Sequence, residues 1–117
     1  MELNWYAEKE TLLRKACEEI NAILNGTTFT ALRNTTVGEK CVNIMQEGVK
    51  GYVGHIWPKI KNHEFDVCLT NELAQNAERF LGPELIGKER DYGLPNFKKY
   101  RVNEELLEKI MKAVALH

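Results

Sequence analysis

The chain has 117 residues, 44% of them hydrophobic and 28% charged, and its sixteen Lys and Arg against seventeen Asp and Glu leave a net charge of −1. This length and composition predict one domain over 1–117 with its own core. They exclude collagen-like and low-complexity classes, and they argue against global disorder. Because a protein that binds polyanions with its whole surface is normally more basic, any nucleic-acid site here must be a local patch.

The first predicted element is an amphipathic helix over about residues 5–24. Its apolar residues recur at steps of three and four, the period of one helix face. They are Trp5, Leu12, Leu13, Ala16, Cys17, Ile20, Ile23 and Leu24. Asn25 and Gly26 should end the helix, because both residues tolerate the left-handed conformation of a helix C-cap.

Residues 27–70 predict an antiparallel sheet. The stretch is rich in Thr, Val, Ile and aromatic residues and is interrupted by Gly and Pro, which is typical of strands and turns. We expect four strands, over about 27–34, 40–46, 50–57 and 64–70, with turns at 34–38, 47–48 and 58–62. Connections this short join antiparallel neighbours, so the strands should form a meander.

The C-terminal part predicts two more helices and a short strand. A helix over about 71–81 should be capped by Thr70 or Asn71 and ended by Gly82-Pro83. An irregular stretch (84–96) and a fifth strand (97–102) should follow, and then a final helix capped by Asn103. The predicted fold class is α+β: an N-terminal helix, a four- to five-stranded antiparallel meander and two further helices packed on one sheet face.

Three segments carry a resemblance to a known family. They are residues 67–74 (VCLTNELA), 96–102 (NFKKYRV) and 105–110 (ELLEKI). In this order after an N-terminal helix and a meander, they resemble the MmcQ/YjbR-like small α+β proteins, and the likeness is one of layout over most of the chain. Members of that family are described as DNA-binding or uncharacterised, so the resemblance implies little about mechanism.

Several classes of enzyme are excluded by what the sequence lacks. It contains no phosphate-binding or dinucleotide-binding glycine motif, no His-Glu-x-x-His and no Cys-x-x-Cys pair. It also contains no serine, which excludes a serine hydrolase. We therefore expect no cofactor, no metal and no catalytic residue, and the sequence favours a non-enzymatic protein over an enzyme.

The lack of targeting signals and the cysteine usage indicate a cytoplasmic protein. The first residues lack the basic and apolar regions of a signal peptide, and no apolar run approaches the length of a membrane span. Cys17, Cys41 and Cys68 are odd in number and widely spaced among apolar neighbours, which is typical of reduced, buried thiols. We expect a cytoplasmic protein with no membrane contact.

The strands around His55 leave one enzymatic alternative open. If Trp57 pairs with Glu64, His55 faces Asp66, and a carboxylate that orients an imidazole is the arrangement of a general base. His63 or Cys68 would then be candidates to join the site as ligand or nucleophile. If the register slips by one, Trp57 faces Phe65, His55 faces Val67, and Val53 faces Leu69. Burial favours this second register, in which His55 points into the core or lies at its edge, away from Asp66.

Two glycines in the third predicted strand allow two interpretations. Gly51 and Gly54 lie three residues apart. Glycine weakens a strand unless a bulge, or the close approach of another group, requires it. We favour glycines that make room for packing or bend the sheet, and the alternative is that they form the floor of a cleft.

The clearest candidate binding site is the basic-aromatic segment, residues 88–101. It contains five basic and two acidic residues, a net charge of +3 that leaves about −4 on the rest of the chain. Basic side chains next to rings can neutralise phosphates while the rings stack on bases. The predicted anion-binding residues are Lys88, Arg90, Tyr92, Lys98, Lys99, Tyr100 and Arg101. The alternative is an edge strand that its lysines protect from aggregation.

The sequence therefore favours a small cytoplasmic binding protein that contacts a nucleic acid or nucleotide through the basic-aromatic segment. One alternative is a protein-interaction or inhibitor module, of phage or immunity type, whose acidic remainder docks on a basic protein partner. A weaker alternative is an enzyme built around His55 and Asp66.

Overall fold

The computed structural model describes residues 1–34, 36 and 40–117, so most of the predicted turn at 34–38 lies outside the described residues. The helices are α1 (Lys9–Leu24), α2 (Asn71–Leu85) and α3 (Glu104–Ala115). The strands are β1 (Phe29–Asn34), β2 (Cys41–Gln46), β3 (Tyr52–Lys59), β4 (Glu64–Thr70), β5 (Glu89–Arg90) and β6 (Phe97–Val102). A short 3-10 helix (Ile60–Asn62) joins β3 to β4.

The six strands form one antiparallel sheet in the order β1-β2-β3-β4-β6-β5. The first four strands are sequential neighbours, which confirms the predicted meander. The strand that the sequence did not predict is the two-residue β5, which lies inside the stretch (84–96) that we expected to be irregular. It pairs with Tyr100 and Lys99 of β6. The α+β class is confirmed, with one or two strands more than the sequence indicated.

All three helices pack on one face of the sheet. Alternate residues of the strands point toward the helices, and together with the apolar faces of α1, α2 and α3 they form a single core. Its largest fully buried side chains include Tyr100, Phe65, Leu12, Ile20, Ile56, Leu69 and Leu107. In the part of the chain that the structure describes, no helix covers the opposite side of the sheet, which we call the open face.

The pairing of β3 with β4 differs from both registers that the sequence predicted. Trp57 lies opposite Asp66, whereas we expected it opposite Glu64 or, as burial favoured, opposite Phe65. Both registers are therefore wrong. The burial argument failed because it placed the Trp57 ring on the core side, whereas this ring and that of His55 lie on the open face.

The observed register still pairs apolar residues on the core side. Ile56 lies opposite Val67, and Pro58 opposite Phe65, and all four are buried. His55 lies opposite Cys68 on the open face, so the expected position of His55 in the core or at its edge is also wrong.

Two helix boundaries differ from the prediction. The helix α1 begins at Lys9 rather than near residue 5, while Trp5 is buried before it, stacks on His63 and donates its indole N–H to Glu104. The helix α2 continues through Pro83 to Leu85. Proline removes one backbone hydrogen bond of the helix, but burial of Leu85 against the core holds the last turn in place.

Gly51, just before β3, and Gly54, within it, both have structural roles. Gly51 precedes the strand with a φ of +83°, a conformation that non-glycine residues rarely adopt. A Cβ on Gly54 would lie 3.2 Å from the Cys68 carbonyl oxygen and 3.2 Å from Ile44 Cγ1. Close packing therefore explains Gly54, and the alternative of a cleft floor does not apply.

None of the helices in the described ranges combines the length and the apolar character that crossing a bilayer requires.

Candidate functional site

Five aromatic side chains form one cluster on and beside the open face, and we call it the ring cluster. Its members are Tyr52, His55 and Trp57 of β3, Tyr92 from the loop before β6, and Phe97 of β6. The His55 and Trp57 rings are stacked, with centroids 5.4 Å apart and planes 22° apart. The Tyr92 ring lies 6.1 Å from both Trp57 and Phe97, so it closes the cluster from above the sheet.

The period of two along a strand explains why these rings meet. His55 and Trp57 are two residues apart on β3 and therefore share a face. Phe97 lies at the start of β6, opposite the end of β4, and its ring centroid is 5.9 Å from that of His55. The rings of His55, Trp57, Tyr92 and Phe97 are partly buried, whereas Tyr52 is the most exposed of the five, at 46%. The cluster therefore offers ring surface to a ligand while its position is fixed from below.

A buried amide fixes the orientation of the His55 ring. Asn43 is 3% exposed and lies opposite His55 in the sheet. Its Oδ1 is 2.8 Å from His55 Nδ1, and because that oxygen can only accept, Nδ1–H is the donor. The Cys41 thiol donates to the same oxygen at 3.3 Å. Asn43 thus places the imidazole flat against Trp57.

Tyr92 is attached to the sheet through Cys68. Burial raises the pKa of the Cys68 thiol to about 11, and a hydrogen bond with Tyr92 opposes that rise. Burial also raises the pKa of Tyr92 to about 12, and the nearby Cys68 adds to this. Both groups are therefore neutral near pH 7, and the proximity of Tyr92 to Cys68 places the loop next to the open face.

Cationic side chains surround one end of the ring cluster. Asp66 has a side chain that is 5% exposed, and it accepts two hydrogen bonds from Arg101, at 2.9 and 3.2 Å. Lys59 Nζ lies 3.4 Å from the second oxygen of the same carboxylate. Burial acts to raise the pKa of Asp66, but Arg101 and then Lys59 outweigh it and hold this pKa below its usual range. Lys99 Nζ sits 5.9 Å from the centre of the Tyr92 ring.

Four of the seven residues predicted from the sequence lie on this side of the sheet. Tyr92 belongs to the ring cluster, and Lys99 and Arg101 project from β6 onto the open face. Arg90 pairs with Lys99 from the edge strand β5, and its guanidinium donates to the carbonyl oxygens of Gly87 and Glu89. These four residues remain in the candidate surface.

The other three predicted residues lie elsewhere. Tyr100 is 1% exposed on the core side and donates to Glu78 at 2.5 Å, so its ring is not available to stack on a base. Lys98 points the same way and forms an ion pair with Glu78 at 3.0 Å. The Tyr100 hydrogen bond, helped by Lys98, holds the pKa of Glu78 below its usual range. We therefore remove Tyr100 and Lys98 from the candidate surface.

Lys88 lies apart from the ring cluster as well. It borders a depression that it shares with Glu64, Glu84 and Glu105. None of the residues that line this depression belongs to the ring cluster.

The structure does not form the His55–Asp66 pair considered for an enzyme, although His55 lies opposite the other candidate, Cys68. Asp66 lies opposite Trp57, and its carboxylate forms ion pairs with Arg101 and Lys59. His63 stacks on Trp5 near the 3-10 helix. Among the described residues, no group of three or more His, Cys, Asp and Glu side chains is placed to hold a metal ion.

The sequence interpretation missed part of the site. The missed residues are Tyr52, His55 and Trp57 as ring surface and Lys9 as a cation near it, whereas Phe97 lies within the predicted segment 88–101. Alternation along β3 signals that His55 and Trp57 share a face, but only the sheet register decides that this face is open. Lys9 comes from α1, which is distant in sequence, so no local signal could have placed it there.

Comparison of the chain with protein-family models, curated proteins and solved structures gives no match. The resemblance to MmcQ/YjbR-like proteins therefore stays a prediction.

Proposed function

We propose that this protein is a non-enzymatic, cytoplasmic binding domain that contacts single-stranded nucleic acid through the open face. The observation that carries the proposal is the ring cluster, which lies on a sheet face that no described helix covers and is bordered by lysine and arginine side chains. Sheet faces of this composition can stack bases on rings and neutralise the phosphates between them.

Partly exposed rings favour an unpaired strand as the ligand. In a duplex, the base faces are stacked on each other and are not accessible to protein rings. In a single strand they are accessible, and each stacked base contributes about 1–3 kcal/mol. The Trp57 and Tyr92 rings lie beside the cations, so we expect them to contribute most of the stacking.

The cations near the rings supply the phosphate contacts. Lys9 and Lys99 form no ion pair with the residues that the structure describes, and Lys59 shares the single carboxylate of Asp66 with Arg101. If three lysines each contact one phosphate, affinity for a single strand should vary as about the −2.1 power of the salt concentration. Affinity should then fall about 20-fold between about 50 and 200 mM salt.

The test is fluorescence anisotropy with a labelled single strand of about 12 nucleotides, which lies within the site size of such surfaces. The same sequence as a duplex, and as RNA, completes the set of ligands. We expect the single strand to bind more tightly than the duplex and to show the salt dependence given above.

The matched variants are Lys99→Glu and Lys112→Glu, which make the same charge change on opposite sides of the molecule. Lys112 is exposed on α3, away from the open face. Lys99→Glu should weaken binding strongly, whereas Lys112→Glu should leave it nearly unchanged. Equal effects of the two changes, or no binding at the lower salt concentration, would contradict the proposal and direct the search to a protein partner.

A further inference from the structure

A cleft lies at the end of the ring cluster where α1 approaches the open face, and we call it the Lys9 cleft. It has a volume of about 360 Å³. It is lined by Lys9, Trp57, Pro58, Lys59, Asp66, Tyr92 and Lys99. This volume lies in the range of small-molecule sites, and the cleft is open to solvent.

Trp57 lines this cleft. His55 covers one face of the indole, since the two rings are stacked. On the open face of β3, His55 and Lys59 lie on opposite sides of Trp57, and Lys59 rather than His55 lines the cleft. A planar base that enters the cleft can therefore extend the stack as a third layer beyond Trp57. The Tyr92 ring, tilted by 51° to Trp57, bounds the space from above.

The charges around the cleft fit one anionic group. Its lining holds three lysines and one aspartate, a net charge of +2. The aspartate is already engaged by Arg101, so its charge is compensated before any ligand enters. The three amino groups come from α1, β3 and β6, and a phosphate attached to the stacked base would meet donors from three elements of the fold.

We infer that the Lys9 cleft binds a single phosphorylated nucleotide, with the base on the outer face of Trp57 and the phosphate on Lys9, Lys59 and Lys99. The inference rests on the proposed function, because the cleft would be a position on the open face where one base and its phosphate are bound together. It adds that one nucleotide suffices for binding, and that Lys9 of the N-terminal helix is a phosphate ligand.

The test compares adenosine monophosphate, adenosine and inorganic phosphate as ligands of the full chain, by calorimetry and by quenching of tryptophan fluorescence. We expect the nucleotide to bind at least about tenfold more tightly than adenosine, because hydrogen bonds to a charged phosphate are the difference between them. The quenching should disappear in Trp57→Leu, since the other tryptophan, Trp5, is buried and does not line the cleft.

Lys9→Gln and Lys15→Gln form the matched pair of variants on α1. Both side chains are exposed, so neither change should affect folding, which circular dichroism can check. Lys9→Gln should weaken binding of the nucleotide several-fold and leave binding of adenosine unchanged, whereas Lys15→Gln should change neither.

Equal affinity for nucleotide and nucleoside, or equal effects of Lys9→Gln and Lys15→Gln, would overturn the inference. If the labelled single strand still binds and Lys99→Glu still weakens it, the proposed function stands and only the Lys9 cleft falls. If the single strand does not bind either, both proposals fail.

Discussion

A methyl group at Gly54 should destabilise the fold by an amount that the structure defines. The new Cβ would lie 3.2 Å from the Cys68 carbonyl oxygen and 3.2 and 3.3 Å from Ile44 Cγ1 and Cβ. The oxygen belongs to the paired backbone of β4, so it cannot turn away as a side chain would. Overpacking of this kind costs about 1–3 kcal/mol, and the lower unfolded-state entropy of Ala offsets about 0.4–1 kcal/mol. We expect Gly54→Ala to lower the free energy of unfolding by about 1–2 kcal/mol.

Urea unfolding monitored by circular dichroism measures this change, which should appear as a lower midpoint with an unchanged slope. A double-mutant cycle with Ile44→Ala identifies the cause, since that change removes one of the crowding atoms. Gly54→Ala and Ile44→Ala should show a favourable coupling of about 0.5 kcal/mol or more.

The control is Gly48→Ala, which adds the same methyl group where nothing lies within 4 Å and where φ is +80°. It should destabilise through backbone strain alone and be additive with Ile44→Ala. A Gly54→Ala protein as stable as the parent, or a cycle without coupling, would refute the packing explanation.

Three further predictions concern the N-cap of α3, the dependence of stability on acidic pH and the reactivity of the Cys68 thiol. Asn103→Ala should cost about 1 kcal/mol in thermal unfolding, because Asn103 Oδ1 accepts the Leu106 N–H at 2.9 Å at the start of α3. Since Arg101 helps to keep the pKa of Asp66 low in the folded state, Asp66 stabilises the fold above the ordinary Asp pKa of 3.8 and loses this effect as the pH falls below it. Unfolding at several pH values should therefore show Asp66→Asn less stable than the parent at neutral pH, with the difference shrinking below about pH 4. Cys68, buried and with a pKa of about 11, should react with thiol reagents at about pH 8 only after unfolding. A rapid reaction in the native protein would contradict this.

Local patterns in the sequence predicted most of the elements. The periods of three to four and of two gave all three helices and five of the six strands, and the caps Thr70 and Asn103 both accept the expected N–H groups. The two-residue β5 was missed because its residues carry no strand pattern. They are held only by pairing with β6.

What could not be predicted depends on tertiary contacts. Alternation along β6 places Lys99 and Arg101 on one face of the strand and Lys98 and Tyr100 on the other. The sequence could not show which of these faces the helices cover. Tyr100 was therefore predicted to be on the binding surface, whereas the structure buries it in the core. The β3–β4 register failed for the same reason, because Trp57 was assigned to the core side.

The central claim is that ligands bind on the open face beside Trp57, and a titration followed by amide and indole NMR signals tests it most directly. The two tryptophans give one signal at the site and one internal control, since Trp5 is buried against His63 and Phe65 and donates its indole N–H to Glu104. On addition of a single-stranded oligonucleotide, we predict shifts of the Trp57 indole and of the backbone amides of β3, β6 and residues 91–97, with the Trp5 indole unchanged. Shifts confined to the helices, or an unmoved Trp57 indole at saturation, would contradict the account.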